Sequence, residues 1–73
     1  METIYISLLN EGTTVWRPVQ ALKLEEGIYI IPVDTDVPED EEWEFKPGTK
    51  IKCKNHTFSG GNIGLIAYCK CIE

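Results

Sequence analysis

The chain has 73 residues, 42% of them hydrophobic, and a formal net charge of −5 at pH 7. This length predicts one domain, 1–73, and the apolar content is that of a folded protein rather than a disordered one. The acidic balance argues against nucleic-acid binding, which needs Lys and Arg to displace counterions from phosphates. No apolar run resembles a signal peptide or is long enough to span a membrane, so we expect a cytoplasmic protein with reduced thiols and no membrane contact.

Five segments have the pattern of short β-strands. Residues alternate in the first, so that Ile4, Ile6 and Leu8 share one face. Pro18 has no N–H to give to a ladder, which predicts a sheet edge or a bulge in the second. Residues 21–26 are too few for a stable helix and continue that strand. The predicted strands are 3–9, 15–24, 28–33, 49–54 and 63–72.

Turn signals separate these segments. Pro47 and Gly48 fit the second and third positions of a type II turn, and Gly60 and Gly61 allow the tight reversal at 59–62. Gly64 predicts a bulge near the start of the last strand. The segment 34–42 carries six acids and no base. It is interpreted as a solvated acidic connector, with a partner site as the alternative.

Five short strands without a convincing helix predict an all-β fold. The expected architecture is a small five-stranded antiparallel SH3-like barrel, because closure of the sheet removes exposed edges. An OB-like barrel is the alternative, although that fold is usually longer.

The cysteines and the single histidine allow two interpretations. Cys53, His56, Cys69 and Cys71 are the residue types of a zinc site. However, two cysteines separated by one residue on a regular strand place their thiols roughly 7 Å apart, and the cysteines share strand parity with apolar residues such as Ile51. Core packing is therefore the favoured interpretation, no cofactor is predicted, and zinc binding stays open.

Catalytic patterns are lacking in the sequence. The carboxylates cluster in the acidic segment rather than in a hydrophobic pocket, where acid–base chemistry would need them. The Gly60-Gly61 turn has no nucleotide-binding spacing, and the Cys53–His56 pair has no visible orienting group. We therefore predict that the protein is not an enzyme.

Alternating lysines predict a basic stripe on the last hairpin. Lys50, Lys52, Lys54 and Lys70 would lie on the outer face with Tyr68 among them, a pattern suited to single-stranded nucleic acid. A solvated face whose lysines discourage edge pairing is the favoured interpretation, given the overall acidity.

Aromatic residues supply the candidate binding surface. Exposed Trp, Tyr and Arg are typical of binding hot spots, which selects Trp16, Arg17, Trp43 and Tyr68 as contact residues. Alternatively, the two tryptophans cap the ends of a barrel too small to close itself with aliphatic side chains.

Three motifs resemble a family of small bacterial single-domain proteins without assigned function. They are VWRPV at 15–19, WEFKPG at 43–48 and FSGG at 58–61 followed by Gly64 and Leu65. The resemblance implies a bacterial origin and a compact β-domain. The glycine-containing hairpins are also similar, more loosely, to SH3-like and KOW-type barrels, and KOW-type domains often bind RNA or ribosomal proteins.

The sequence therefore predicts a non-enzymatic barrel that binds another protein. The acidic segment would steer a basic partner toward the aromatic residues. One specific form is an immunity-type protein that neutralises a basic toxin. The alternative is nucleic-acid binding through the lysine stripe, and the oligomeric state is not predicted.

Overall fold

Five β-strands form a sheet that closes on itself in the computed structural model, which describes residues 1–71. The strands are β1 (Glu2–Ser7), β2 (Trp16–Glu25), β3 (Ile28–Ile30), β4 (Lys50–Thr57) and β5 (Ile63–Lys70). They neighbour each other in chain order, which confirms the predicted all-β, five-stranded, barrel-like fold. This meander differs from the Greek key of the alternative OB-fold.

The sheet closes through a parallel pairing of β1 with β5. The four pairings between consecutive strands are antiparallel, so the direction reverses at every step. With an odd number of strands, the first and the last must therefore run the same way. The closing register pairs Ile4 with Leu65 and Tyr5 with Ile66.

The core lies inside this closed sheet. Four isoleucines have no exposed surface, namely Ile4, Ile6, Ile31 and Ile51. They pack with Val19, Ala21, Tyr29, Trp43, Cys53 and Ala67, and the partly buried Leu8, Phe45 and Leu65 pack against this cluster. The predicted inward face of the first strand, Ile4, Ile6 and Leu8, is thus confirmed.

The turns follow the predicted chemistry. The N–H of Thr49 donates to the carbonyl of Lys46 at 3.1 Å, and Gly48 has a φ of 88°, which is the type II turn expected for Pro-Gly. Gly61 has the same φ in the β4–β5 turn, and Gly27 takes a φ of 80° between β2 and β3. Residues 21–25 continue β2, so the short helix is absent there as expected.

Strand lengths differ from the prediction where long-range pairing decides them. β3 ends at Ile30 rather than at residue 33, because Pro32 cannot donate to a ladder. β4 runs on to Thr57, since its pairing with β5 continues up to the turn that Gly61 makes. The last strand was predicted to reach Ile72, which lies outside the described residues.

A bulge in β5 corrects the predicted parity of the last strand. Lys52 pairs with Cys69 but Cys53 pairs with Ala67, so Tyr68 is the extra residue. The predicted bulge at Gly64 was misplaced, because Gly64 pairs regularly with His56. Beyond Tyr68 the alternation is inverted, and this moves the last cysteines and lysine to unexpected faces.

Candidate functional site

A groove of about 320 Å³ lies between β2 and the acidic segment. Its lining includes Pro18, Val19 and Gln20 of β2, Asp34 and Asp36 of the acidic segment, and Trp43. This volume is at the small end of those that hold ligands in proteins. We call it the acidic groove.

In the part of the chain that the structure describes, the first half of β2 has an edge without a partner strand, and this edge faces the acidic groove. β3 pairs with β2 only through Leu22–Glu25, so no strand among residues 1–71 lies beside the other half of β2 on that side. The N–H of Leu8 donates to the carbonyl of Val15 at 2.9 Å, and the antiparallel alternation then points the backbone groups of Pro18 and Gln20 away from β1. The predicted edge position of Pro18 is confirmed.

The acidic segment is held in place at its end. The N–H of Leu9 donates to the carbonyl of Glu42 at 2.7 Å, and the N–H of Glu44 donates to the carbonyl of Ser7 at 2.9 Å. Trp43 forms a bridge with Leu8 between these two bonds. These bonds fix the chain at residues 42–44 beside residues 7–9, directly after the acidic segment.

A half-buried carboxylate, that of Glu41, connects β2 with this segment. Arg17 Nε donates to Glu41 Oε1 at 3.0 Å, and Arg17 Nη2 donates to Oε2 of the same carboxylate. Trp43 Nε1 also donates to Glu41 Oε1, at 2.9 Å. The Glu41 side chain is only 12% exposed, whereas that of Arg17 is 42% exposed. Glu41 neutralises Arg17, so the charged side chains that remain in the lining are Asp34 and Asp36, and the lining also includes Met1, which carries the terminal amine.

The four predicted contact residues do not form one surface. Trp43 is 3% exposed and belongs to the core, which supports a capping role rather than an exposed contact. Arg17 and Trp43 both line the acidic groove, but Trp16 does not. Tyr68 is 46% exposed on β5 and is also outside the groove.

Trp16 belongs to an aromatic cluster on the outer face of the sheet. Its ring centroid lies 5.9 Å from that of His56 and 6.2 Å from that of Phe58. Phe58 packs edge-to-face on Tyr5 at 5.0 Å and on His56 at 4.9 Å. A Cβ on Gly64 would come within 2.9 Å of both the Tyr5 and Phe58 rings, so this glycine provides the space that the rings occupy. We call Tyr5, Trp16, His56 and Phe58 the outer aromatic cluster.

The lysine stripe is shorter than predicted. Lys50, Lys52 and Lys54 alternate along β4 with the buried residues Ile51 and Cys53, as expected. Lys54 Nζ lies 4.9 Å from the centroid of the Tyr68 ring, a cation–π contact. Lys70 is wrongly placed in the stripe, because the β5 bulge puts it opposite Ile51 instead of opposite Lys50.

The cysteines occupy three different environments. Cys53 is 7% exposed in the core, as predicted, and burial raises the pKa of its thiol to about 11. Cys69 is exposed, so its predicted core position is wrong, and Cys71 is half-buried. Within residues 1–71 no three His, Cys, Asp or Glu side chains lie close enough to hold a metal ion.

Sequence reasoning missed two parts of the groove. The sequence does not distinguish Glu41 from the other acids of the segment, which it predicts to be solvated, because the bonds from Arg17 and Trp43 form only in the folded chain. Nothing in the sequence marks Gln20 as a groove residue, and only the missing N–H of Pro18 indicates that this side of β2 is open. Asp34 and Asp36 belong to the segment 34–42, for which a partner site is the alternative prediction.

Comparison with known proteins adds no further constraint. No family model, no curated protein and no solved structure matches the chain. The described residues include no helix long and apolar enough to cross a membrane. The resemblance to a small bacterial family stays a prediction.

Proposed function

We propose that this protein is a non-enzymatic interaction module whose acidic groove binds a positively charged segment of a partner protein. The acidic groove itself carries the proposal, because it joins an open strand edge to a wall that bears Asp34 and Asp36. The cationic side chain in its lining, Arg17, is already paired with Glu41. Within residues 1–71, Asp34 and Asp36 are exposed and form no ion pair, so a basic ligand meets two accessible carboxylates.

Electrostatic steering supports the same partner. Six of the twelve acids lie in 34–42, a segment without a single base. A surface of one charge sign accelerates association with a partner of opposite sign and disfavours acidic competitors. The expected partner is thus a basic protein, and binding should weaken as salt increases.

A fluorescence-anisotropy titration with labelled hexalysine at low ionic strength tests this function. Replacing Asp34 and Asp36 with Asn should weaken binding on the order of tenfold, because each charge contributes up to roughly 1 kcal/mol at an exposed site. The matched control replaces Glu11 and Glu25 with Gln, which changes the net charge equally outside the groove. Equal weakening by both variants would show that binding follows net charge, and the groove would be rejected.

An immunity-type protein that neutralises a basic toxin is one form of this function. The small size, the net charge of −5 and the groove suit such a task. The proposal places the protein in the cytoplasm with its partner.

Nucleic-acid binding by the lysine stripe is the weaker alternative. The stripe loses Lys70 to the opposite parity, and Lys54 already contacts Tyr68. A labelled single-stranded oligonucleotide in the same titration is expected to show no binding at low salt. Binding that depends on Lys52 would revive the alternative.

A further inference from the structure

We propose that the partner segment binds in an extended conformation and adds a strand to the open edge of β2. This inference rests on the proposed function, since it specifies how the same groove holds a basic segment. It commits to one occupant, a stretch of a partner chain in which apolar and basic residues alternate.

The backbone of β2 provides the hydrogen-bonding groups. In an antiparallel ladder, the N–H and C=O of one residue point to the same neighbour, and successive residues point to opposite sides. The bond between Leu8 and Val15 marks a hydrogen-bonded pair, and every second pair along β1 and β2 is then of the same kind. The backbone N–H and C=O groups of residues 17 and 19 therefore point to β1. The carbonyl of Pro18 and both backbone groups of Gln20 consequently point into the acidic groove.

The groove lining predicts the side-chain pattern of the occupant. Successive side chains of an added strand point to opposite faces. On one face lie the buried apolar side chains of Val19 and Trp43, while the carboxylates of Asp34 and Asp36 belong to the segment across the groove. A segment of alternating apolar and basic residues can contact both the apolar face and the carboxylates, whereas a block of lysines can contact only the carboxylates.

Two features restrict which chains can pair with this edge. Pro18 has no N–H, so one ladder bond is missing and long flat pairing is disfavoured. The acidic wall and the net charge of −5 oppose pairing with a second copy of this protein. These features select a basic partner over self-association.

Two peptides of identical composition test the inference, Lys-Val-Lys-Val-Lys-Val and Lys-Lys-Lys-Val-Val-Val. Each is titrated into the intact protein at low salt, and backbone amides are followed by two-dimensional NMR. The alternating peptide should bind at least several-fold more tightly and should shift the Gln20 amide. Two methylated forms of the alternating peptide complete the test, one with N-methyl groups on its three valines and one with N-methyl groups on its three lysines. Only one of the two should lose binding, because every second N–H of an added strand points to β2 and the others point to solvent.

The outcomes separate this inference from the proposed function. Equal affinities for the two peptides, or equal effects of both methylation patterns, would overturn strand addition while binding of a basic segment stands. If neither peptide binds, both strand addition and the proposed function are overturned. Shifts confined to β4 and β5, with Gln20 unmoved, would also overturn the inference.

Discussion

The two tryptophans belong to two different apolar layers, one inside the closed sheet and one on its outer face. Trp43 is inside, 3% exposed, with its indole N–H bonded to Glu41. Trp16 is half-buried in the outer aromatic cluster, where it contacts His56 and Phe58. The difference shows that a barrel this small is stabilised on both faces of the sheet, since the outer rings add apolar contacts that a narrow interior cannot supply.

The largest expected effect distinguishes these layers directly. Trp43→Ala should lower the free energy of unfolding by about 3–5 kcal/mol, because it leaves a cavity in the core. Trp16→Ala, the matched variant in the outer layer, should cost about 1 kcal/mol. Urea unfolding followed by far-UV circular dichroism measures both, and Trp43→Phe replaces Trp43→Ala if the latter does not fold. Equal costs would contradict the two-layer interpretation.

A glycine tests how tightly the outer layer is packed. Gly64→Ala would place a Cβ 2.8 Å from Tyr5 Cε1, so the rings must move. Overpacking of this kind costs about 1–3 kcal/mol. The control is Gly12→Ala, where a Cβ would meet nothing within 4 Å and the change should stay within about 0.5 kcal/mol. Thermal unfolding of the two variants compares them, and an unchanged midpoint for Gly64→Ala would mean that the outer cluster yields easily.

The carboxylate of Glu41, which accepts from both Trp43 and Arg17, provides a third test. Glu41→Gln keeps an acceptor for the indole but removes the charge opposite Arg17, and should cost about 1 kcal/mol because solvent partly screens the exposed guanidinium. Glu39→Gln alters an exposed acid in the same segment and should stay within about 0.5 kcal/mol. Chemical denaturation at low and high salt measures both. A larger loss for Glu39→Gln would contradict the assigned role of Glu41.

At neutral pH the smallest effect is expected from ionisation of the Cys53 thiol, which changes the stability of the protein only at high pH. Burial raises the pKa of Cys53 from its ordinary 9.0 to about 11. The unfolded chain ionises this thiol first, so the contribution of Cys53 to stability is complete below pH 9 and is lost as the pH rises to about 11. Cys53→Ala should therefore show a shallower decline of stability across that interval. Burial also raises the pKa of Tyr29, which both proteins share, so an identical decline would contradict the role of Cys53.

The sequence allowed the inner layer to be predicted wherever alternation was regular. Ile4, Ile6, Ile51 and Cys53 are inside as parity requires, because short-range periodicity decides which face a strand residue occupies. The type II turn was equally predictable, since only a residue free of a Cβ takes the φ of Gly48 without strain.

The remaining features depend on contacts between distant parts of the chain. The bulge at Tyr68 results from how β5 pairs with β4, and the local sequence around it has no special residue. Cys69 and Lys70 were misassigned for this reason. The acidic groove likewise forms only when residues 34–42 return to β2, a contact that strand periodicity does not encode.

The parallel seam between β1 and β5 has a consequence for how the protein folds. It joins Ile4 to Leu65, nearly the whole chain apart, whereas the other pairings join consecutive strands. Loop-closure entropy makes such a long-range contact slow to form. The β1–β2 and β4–β5 hairpins should therefore assemble first and the pairing of β1 with β5 last. The seam is then also the first place where the ring opens, and amide hydrogen exchange along it should report the least costly unfolding step.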